Sequence, residues 1–376
     1  VTLVCRRREV HVDAIGEKAA TGGDPMRRDT LFRLASLTKP VAAAATMILI
    51  EECKLRLDDR VDRLLPELAD RRVLKRVEGP LEDTVPARRP ITVRDLLTSR
   101  MGFGWIMGPP HVLPIQKAVS ELGVMTLGPP KPAIRHAPDE WIRRLGTLPL
   151  MYQPGERWTY NTAFYVLGVL IARASGQPLE TFFRERLFEP LGMKDTGFTV
   201  PAEKRVRMAT CYEAGAPKAG ATAPQVHDGV QDSQWNEPPT FPDAAAGLVS
   251  TVDDYLAFGQ MMLDGGKHGR ERILSRPSVE AMVADQLTPE QKASSGLVPG
   301  YWDSLGWGFG VGIVTRRDGV AAVPGRFGWD GGYGTSWGSD PREGMVAVLM
   351  TQRLAFPPFS KVHLDFWTSV YQAIDD

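Results

Sequence analysis

Ser36 and Lys39 are the two residues whose types and spacing could do chemistry most directly. They stand in Ser36-Leu37-Thr38-Lys39, the only S-x-x-K in the 376 residues. On a helix, positions i and i+3 share a face, so this hydroxyl and this amine can meet. A serine hydroxyl is a poor nucleophile at its own pKa, and a neutral amine beside it can take its proton. Desolvation and the positive end of a helix dipole both push a lysine towards that neutral form. The same helix start would offer backbone N–H groups to an oxyanion. The motif is short, and its setting adds weight. Val41–Ile50 is apolar except for Thr46, so the helix reads as buried all round. A lysine at the mouth of such a helix is costly without a partner or a task.

Two other segments carry usable groups. In Tyr160-Asn161-Thr162 the phenol could shuttle a proton between a nucleophile and a leaving group; taken alone it reads equally as a loop tyrosine under a helix. In Arg326-Phe327-Gly328-Trp329-Asp330-Gly331-Gly332-Tyr333-Gly334 the glycines would let backbone approach a ligand closely; the competing reading of the segment alone is a Gly-rich turn in an antiparallel sheet. Gly334-Thr335-Ser336-Trp337-Gly338 fits the G-x-S-x-G pattern, which has mechanical meaning only between a strand and a helix. A turn, Ser339–Gly344, and then an apolar strand follow it, so Ser336 is expected to be structural. The cluster Met101, Phe103, Trp105 and Met107 reads as core before pocket wall. The six histidines show no metal spacing.

These groups need elements to position them. Val1–Cys5 and Val10–Ile15 alternate like strands. A helix is expected from about Ser36 to Glu52, with Pro40 in its first turn. Thr92–Leu97 reads as a short helix capped by Thr92 with Asp95 at the third position. Residues 102–155 and 213–246 read as long loops, the first around short helices. Thr162–Ser175 is a helix stopped by Gly176, and Leu179–Leu187 another. Thr251 caps a helix to Leu263 with Asp253 and Asp254 in its first turn. Trp307–Val314, Trp337–Ser339 and Met345–Thr351 read as strands, and Leu364–Ile374 as a closing helix. Strands at both ends with helices between imply an α/β lobe built from the two termini and a helical lobe inserted between them.

The bulk numbers exclude some partners. Lys+Arg and Asp+Glu are both 45, which argues against nucleic acid. The densest basic run, Arg6-Arg7-Arg8, reads as a solvated strand edge or turn. Three widely spaced cysteines, Cys5, Cys53 and Cys211, point away from a disulfide framework or structural zinc. The longest apolar run, Val41–Ile50, is far short of the roughly 20 residues of a membrane span. No secretory signal is visible after Val1, so a cytoplasmic location is the expectation.

Taken together the motifs resemble the serine β-lactamase-like superfamily: class C β-lactamases, DD-peptidases, family VIII carboxylesterases and some acyltransferases. The resemblance runs through Thr30–Pro40, Glu51-Glu52, Leu57-Asp58-Asp59, Ile91–Thr98, Pro154–Tyr160 and Pro190-Leu191-Gly192-Met193, in order along most of the chain. It implies an α/β (α+β) fold of the β-lactamase/transpeptidase type, an antiparallel sheet flanked by helices. The α/β lobe would comprise 1–54 and 205–376, and the mostly helical lobe 55–204. It implies Ser36 as nucleophile, Lys39 and Tyr160 as proton carriers, and the N–H groups of Ser36 and Gly332 as oxyanion hole. No metal or cofactor is called for, and the partner is a small ester or amide. Where penicillin-recognising members carry K-T-G or H-x-G, this chain has Trp329-Asp330-Gly331, the W-x-G form of the carboxylesterase branch. Thr162 stands where the family often has Asn, which puts amide recognition in doubt. Trp329, Asp330, Gly331 and Thr162 are thus the expected substrate-binding residues, with Asp330 disfavouring anionic substrates unless Arg326 offsets it. Arg100-Met101-Gly102 departs from the family's common His-Thr-Ser-Gly and has no functional account in the sequence.

Overall fold

In the computed structural model, residues 1–106, 108–109, 111–125, 134–213, 224–354 and 360–375 are described; Met107 and parts of the two long loop regions lie outside them. Strands from both ends of the chain share one sheet. β1 (Thr2–Arg6) and β2 (Glu9–Asp13) form a hairpin. Arg7 and Arg8 turn it with positive φ at both residues, the backbone sense that matches strand twist. β3 (Phe32–Arg33) pairs with β4 (Val249–Ser250) just before the Ser36 helix. β5 (Leu305–Trp307), β6 (Gly312–Val314), β7 (Phe327–Gly331), β8 (Thr335–Asp340) and β9 (Met345–Leu349) complete the main sheet. Among the described residues its order is β5-β6-β7-β8-β9-β1-β2, antiparallel throughout.

The single strand expected over Trp307–Val314 is instead the end of β5, a tight turn and β6. Gly310 turns the chain at φ +74°, and Gly308 N–H closes the turn on Val311 O at 2.9 Å. Apolar residues run through the turn because it is buried, so composition alone did not mark it.

The helices are α1 (Thr38–Glu51), α2 (Val93–Leu97), α3 (Pro114–Leu122), α4 (Pro138–Thr147) and α5 (Thr162–Ser175). They continue with α6 (Leu179–Phe183), α7 (Val252–Leu263), α8 (Arg276–Met282), α9 (Pro289–Ala293) and α10 (Lys361–Gln372). α6 runs on through a π-turn to Leu191, where Gly192 stops it at φ +69°. Local signals were placed well. Thr92 and Asp95 form a reciprocal capping box on α2, Thr251 accepts from Asp254 N–H on α7, and Gly176 ends α5 at φ +71°. α1 is buried from Thr38 to Leu49, packed on α5.

Both faces of the sheet are covered. Tyr255 and Phe258 of α7 pack on Trp337. Trp367 and Val370 of α10 pack on Met345 and Ala347. This is why β9 is an unbroken apolar run with every residue buried. All three cysteines are free thiols. Among the described residues no helix is long and apolar enough to cross a membrane.

Candidate active site

Ser36 sits on a 3₁₀ turn, Ala35–Leu37, that feeds directly into α1. The turn is over-determined by its neighbours. Leu34 N–H bonds Leu248 O at 2.8 Å, Thr335 Oγ1 bonds Leu34 O at 2.9 Å, and Tyr255 OH bonds Leu37 O at 2.6 Å. Between them Ala35 is held at φ +47°, a region an alanine rarely occupies. Gly331 lets the end of β7 come up against this turn: a Cβ there would lie 2.2 Å from Leu34 O. Gly332 follows at once in the turn between β7 and β8. The Gly-rich segment therefore lies beside Ser36, because only a residue without a side chain lets β7 approach Leu34 so closely.

Lys39, one turn into the helix, is fully buried. Its Nζ lies 2.9 Å from Ser36 Oγ and donates to Ala245 O at 2.8 Å. It also lies 4.5 Å from the Tyr160 ring centroid. Burial pushes its pKa down, against the opposing pull of Asp243. Tyr160 completes the group. Its hydroxyl accepts a hydrogen bond from Trp329 Nε1 at 2.9 Å. Burial pushes its pKa up, and the nearby Ser36 hydroxyl and Trp329 indole oppose the shift. Ser36 remains half-buried while Lys39 and Tyr160 are enclosed. The result is an accessible hydroxyl between a buried amine and a buried phenol, at the N-terminal end of a helix.

Tyr160 is held from behind. Trp105 N–H bonds Tyr160 O at 2.8 Å, and Thr159 Oγ1 bonds Phe103 O at 3.2 Å. Met101 and Phe103 are core, as expected, and Trp105 is half-buried. Asn161 follows at φ +84°, ψ −58°, with Thr162 N–H returning to Tyr160 O at 3.2 Å. This sharp γ-turn starts α5.

Two expected substrate contacts are corrected by the geometry. Thr162 is buried, and its hydroxyl bonds Met125 Sδ at 3.3 Å, so the donor is already engaged within the protein interior. Asp330 follows Trp329 on β7, and successive side chains of a strand leave on opposite faces. Trp329 therefore meets Tyr160 while the Asp330 carboxylate accepts from Ser336 Oγ at 2.5 Å on the α10 side. The Asp330 charge still helps hold the Tyr160 proton. Arg326, stacked over Trp367 at 4.1 Å, feels it too.

Several participants were not legible in the sequence. Trp158 stacks on Tyr160 at 5.3 Å and meets the edges of Trp302 and Trp307 at 5.1 and 5.7 Å; Trp307 in turn lies 4.6 Å from Trp329. These aromatics come from three separate segments and form one wall. Arg100 also acquires a role. It donates to Thr98 Oγ1 and to Gln291 Oε1, and Gln291 Nε2 donates to Gly155 O at 2.7 Å. That bridge ties α9, which leads to Tyr301 and Trp302, to the loop before Tyr160.

Comparison with known proteins gives a consistent result. The family model described as Beta-lactamase matches residues 1–372. Protein Rv1367c of Mycobacterium tuberculosis is 39% identical over 363 residues, covering 94% of this chain and 85% of that protein. Esterase EstB of Burkholderia gladioli is 32% identical over 375 residues, covering 93% and 85%. Among solved structures, EstCE1, described as a hydrolase with promiscuous acyltransferase activity, superposes with a TM-score of 0.79 at 26% identity, covering 98% of this chain and 92% of that one.

Proposed function

Since the chain belongs to the β-lactamase family, we propose that it is a carboxylesterase acting on short-chain or neutral esters through an acyl-enzyme on Ser36. Its antiparallel sheet flanked by helices is the β-lactamase/transpeptidase-like fold. The family includes esterases, acyltransferases and DD-peptidases, so the branch has to be argued from the site. The observation that carries the reading is the buried Lys39 amine 2.9 Å from Ser36 Oγ.

The steps follow from the placement of the groups. Neutral Lys39 takes the Ser36 proton as Oγ attacks the ester carbonyl carbon. The carbonyl oxygen gains the charge, and the N–H groups of Ser36 and Gly332 hold it. Tyr160 passes a proton to the leaving alkoxide, the C–O bond breaks, and the alcohol departs. Water then attacks the Ser36 ester along the same proton path in reverse. The Trp329 indole, an N–H donor with no charge, orients the phenol from its other side.

Trp329 also argues for the substrate class. It stands where penicillin-recognising relatives place a cation for the substrate carboxylate, and a neutral indole gives that carboxylate no counter-charge. With the Thr162 hydroxyl engaged by Met125, the features used on β-lactams are missing from this part of the site. Acyl transfer is the second reading, since it needs only a non-water acceptor for the same acyl-enzyme; EstCE1 is described as doing both.

Intact-mass measurement tests the proposal. The protein is exposed to an ester panel, a β-lactam and acyl-thioesters, with Ser36→Ala alongside. Neutral short-chain esters should add their acyl mass to the wild type and none to the variant. A kcat/KM for a cephalosporin above that for nitrophenyl butyrate overturns the esterase assignment.

A further inference from the structure

The proton path leaves one group unused. Asp243 lies in the segment before β4 and is 1% exposed. Its Oδ1 accepts from Ala245 N–H at 2.7 Å and Ala246 N–H at 3.1 Å. Its backbone oxygen accepts from Gly247 N–H at 2.8 Å. The turn so formed presents the Ala245 carbonyl, which accepts from Lys39 Nζ at 2.8 Å. Asp243 Oδ2 is buried and has no hydrogen-bond partner among the described residues. A carboxylate oxygen enclosed in that way is costly unless a charge compensates it.

We infer that Asp243 is the positioning residue and counter-charge of Lys39: its turn aims the Ala245 carbonyl at the amine, and its carboxylate stabilises the ammonium formed when Lys39 takes the Ser36 proton. This rests on the reading of Ser36 and Lys39 above and deepens it. The step balances simply. The proton leaves Ser36 Oγ, a neutral amine becomes an ammonium, and the ammonium–carboxylate pair carries no net charge in its low-dielectric setting. Without the carboxylate, the same step would leave an uncompensated buried cation.

The surroundings bear on the pH dependence. Facing Lys39 are Ser36 on its own helix turn, the Tyr160 hydroxyl and ring, and the Phe164 ring of α5. Asp243 acts on Tyr165 of α5 and on Tyr333 in the turn after β7. Asp330 of β7 acts on Tyr160. Lys39 and Asp243 each oppose the effect of burial on the other, as a charge pair should.

The sign follows. The reaction needs neutral Lys39, so kcat/KM falls as pH drops through the pKa that Lys39 has in the free enzyme. A neighbouring carboxylate holds that pKa up. Asp243→Asn keeps an oxygen to accept from Ala245 and Ala246 but removes the charge. It should therefore move the acidic limb to lower pH by about one unit or more and lower the plateau, because the base is weaker. Asp243→Glu, which keeps the charge, should hold the limb near its wild-type position. A purely structural role predicts an unmoved limb in Asp243→Asn, and that result overturns the inference.

Failure of the enzymatic reading is distinguishable from failure here. A wild-type protein whose Ser36 resists a fluorophosphonate probe refutes the nucleophile; normal labelling with an unmoved limb refutes Asp243. If the Asn variant does not fold, NMR of the wild type decides, with 13C-labelled lysine and aspartate. Lys39 and Asp243 should titrate over the same pH range as a coupled pair. A Lys39 transition with no matching response at Asp243 overturns the proposal without any assay of activity.

Discussion

Two serines share the services of one strand. Along β7, Trp329 reaches Tyr160 and so the Ser36 side, while Asp330 reaches Ser336 on the α10 side. The parallel goes further. Each hydroxyl lies beside an ionisable side chain, and an indole N–H enters each network: Trp329 Nε1 to Tyr160 OH, Trp367 Nε1 to Ser336 Oγ at 3.0 Å. They differ in what surrounds the oxygen. Ser36 is half-buried at a helix start, between an amine that can take a proton and a phenol that can pass one on. Ser336 is 0% exposed within a strand paired on both sides, opposite Asp330 on one and Leu349 on the other. A polar network around a serine is therefore not enough to make it a nucleophile. An electrophile also has to reach it, and its proton has to have somewhere to go.

The comparison breaks most readily at Ser36. Ser36→Ala should abolish ester hydrolysis and acyl-mass gain while circular dichroism and thermal melting stay near wild type. Retained turnover of a nitrophenyl ester by pure variant would refute the nucleophile. Next come the proton carriers. Lys39→Ala and Tyr160→Phe should each lower kcat by at least about 100-fold, the range of general acid–base contributions. The double variant should lose far less than the product of the two if the groups act as the proposed single relay. Multiplicative losses in steady-state assays would separate their roles.

A smaller effect is expected at Trp329. Trp329→Phe keeps the ring and removes the donor to Tyr160, a loss of about 1 kcal/mol for one hydrogen bond, or several-fold in kcat/KM. Trp329→Lys should narrow the gap between neutral esters and carboxylate-bearing β-lactams, measured as a ratio of kcat/KM values. An unchanged ratio would mean that the indole does not set the preference.

What was legible in the sequence follows from how local each cause is. The capping box of Thr92 and Asp95, the stop at Gly176 and the meeting of Ser36 with Lys39 depend on residues within a few positions of one another. The family motifs extended that reading across the chain and gave the fold. The facing of Asp330 was not legible in the same way, because it depends on which side of β7 receives Trp329. Thr162 was misplaced for a similar reason: its hydroxyl meets Met125, brought in by a distant segment of the chain. Asp243 lay in a stretch that read only as loop. Its value comes from a carbonyl two residues on, aimed at a lysine in a helix far earlier in the chain. The aromatic wall had no signal beyond tryptophans scattered among separate segments.

The mildest change gives the sharpest contrast between the two serines. Ser336 lies in the five-residue pattern that a motif search would report as an active site, and Ser36 in a four-residue pattern that occurs often by chance. The folded chain reverses that ranking. Ser336 Oγ donates to Asp330 and accepts from Trp367, so Ser336→Ala leaves a half-buried carboxylate oxygen and a buried indole N–H each short of a partner. Unsatisfied buried groups of this kind cost about 1–3 kcal/mol, which should appear as a lower Tm. The proposed reacting groups lie on the other side of β7 and keep their contacts, so most of kcat/KM should remain, with any loss arising from disturbance next to Gly331 and Gly332. A fluorophosphonate probe should label Ser36 in this variant as in the wild type. Peptide mapping that placed the probe on Ser336, or a folded Ser336→Ala protein that had lost both activity and Ser36 labelling, would invert the comparison and with it the assignment of the nucleophile.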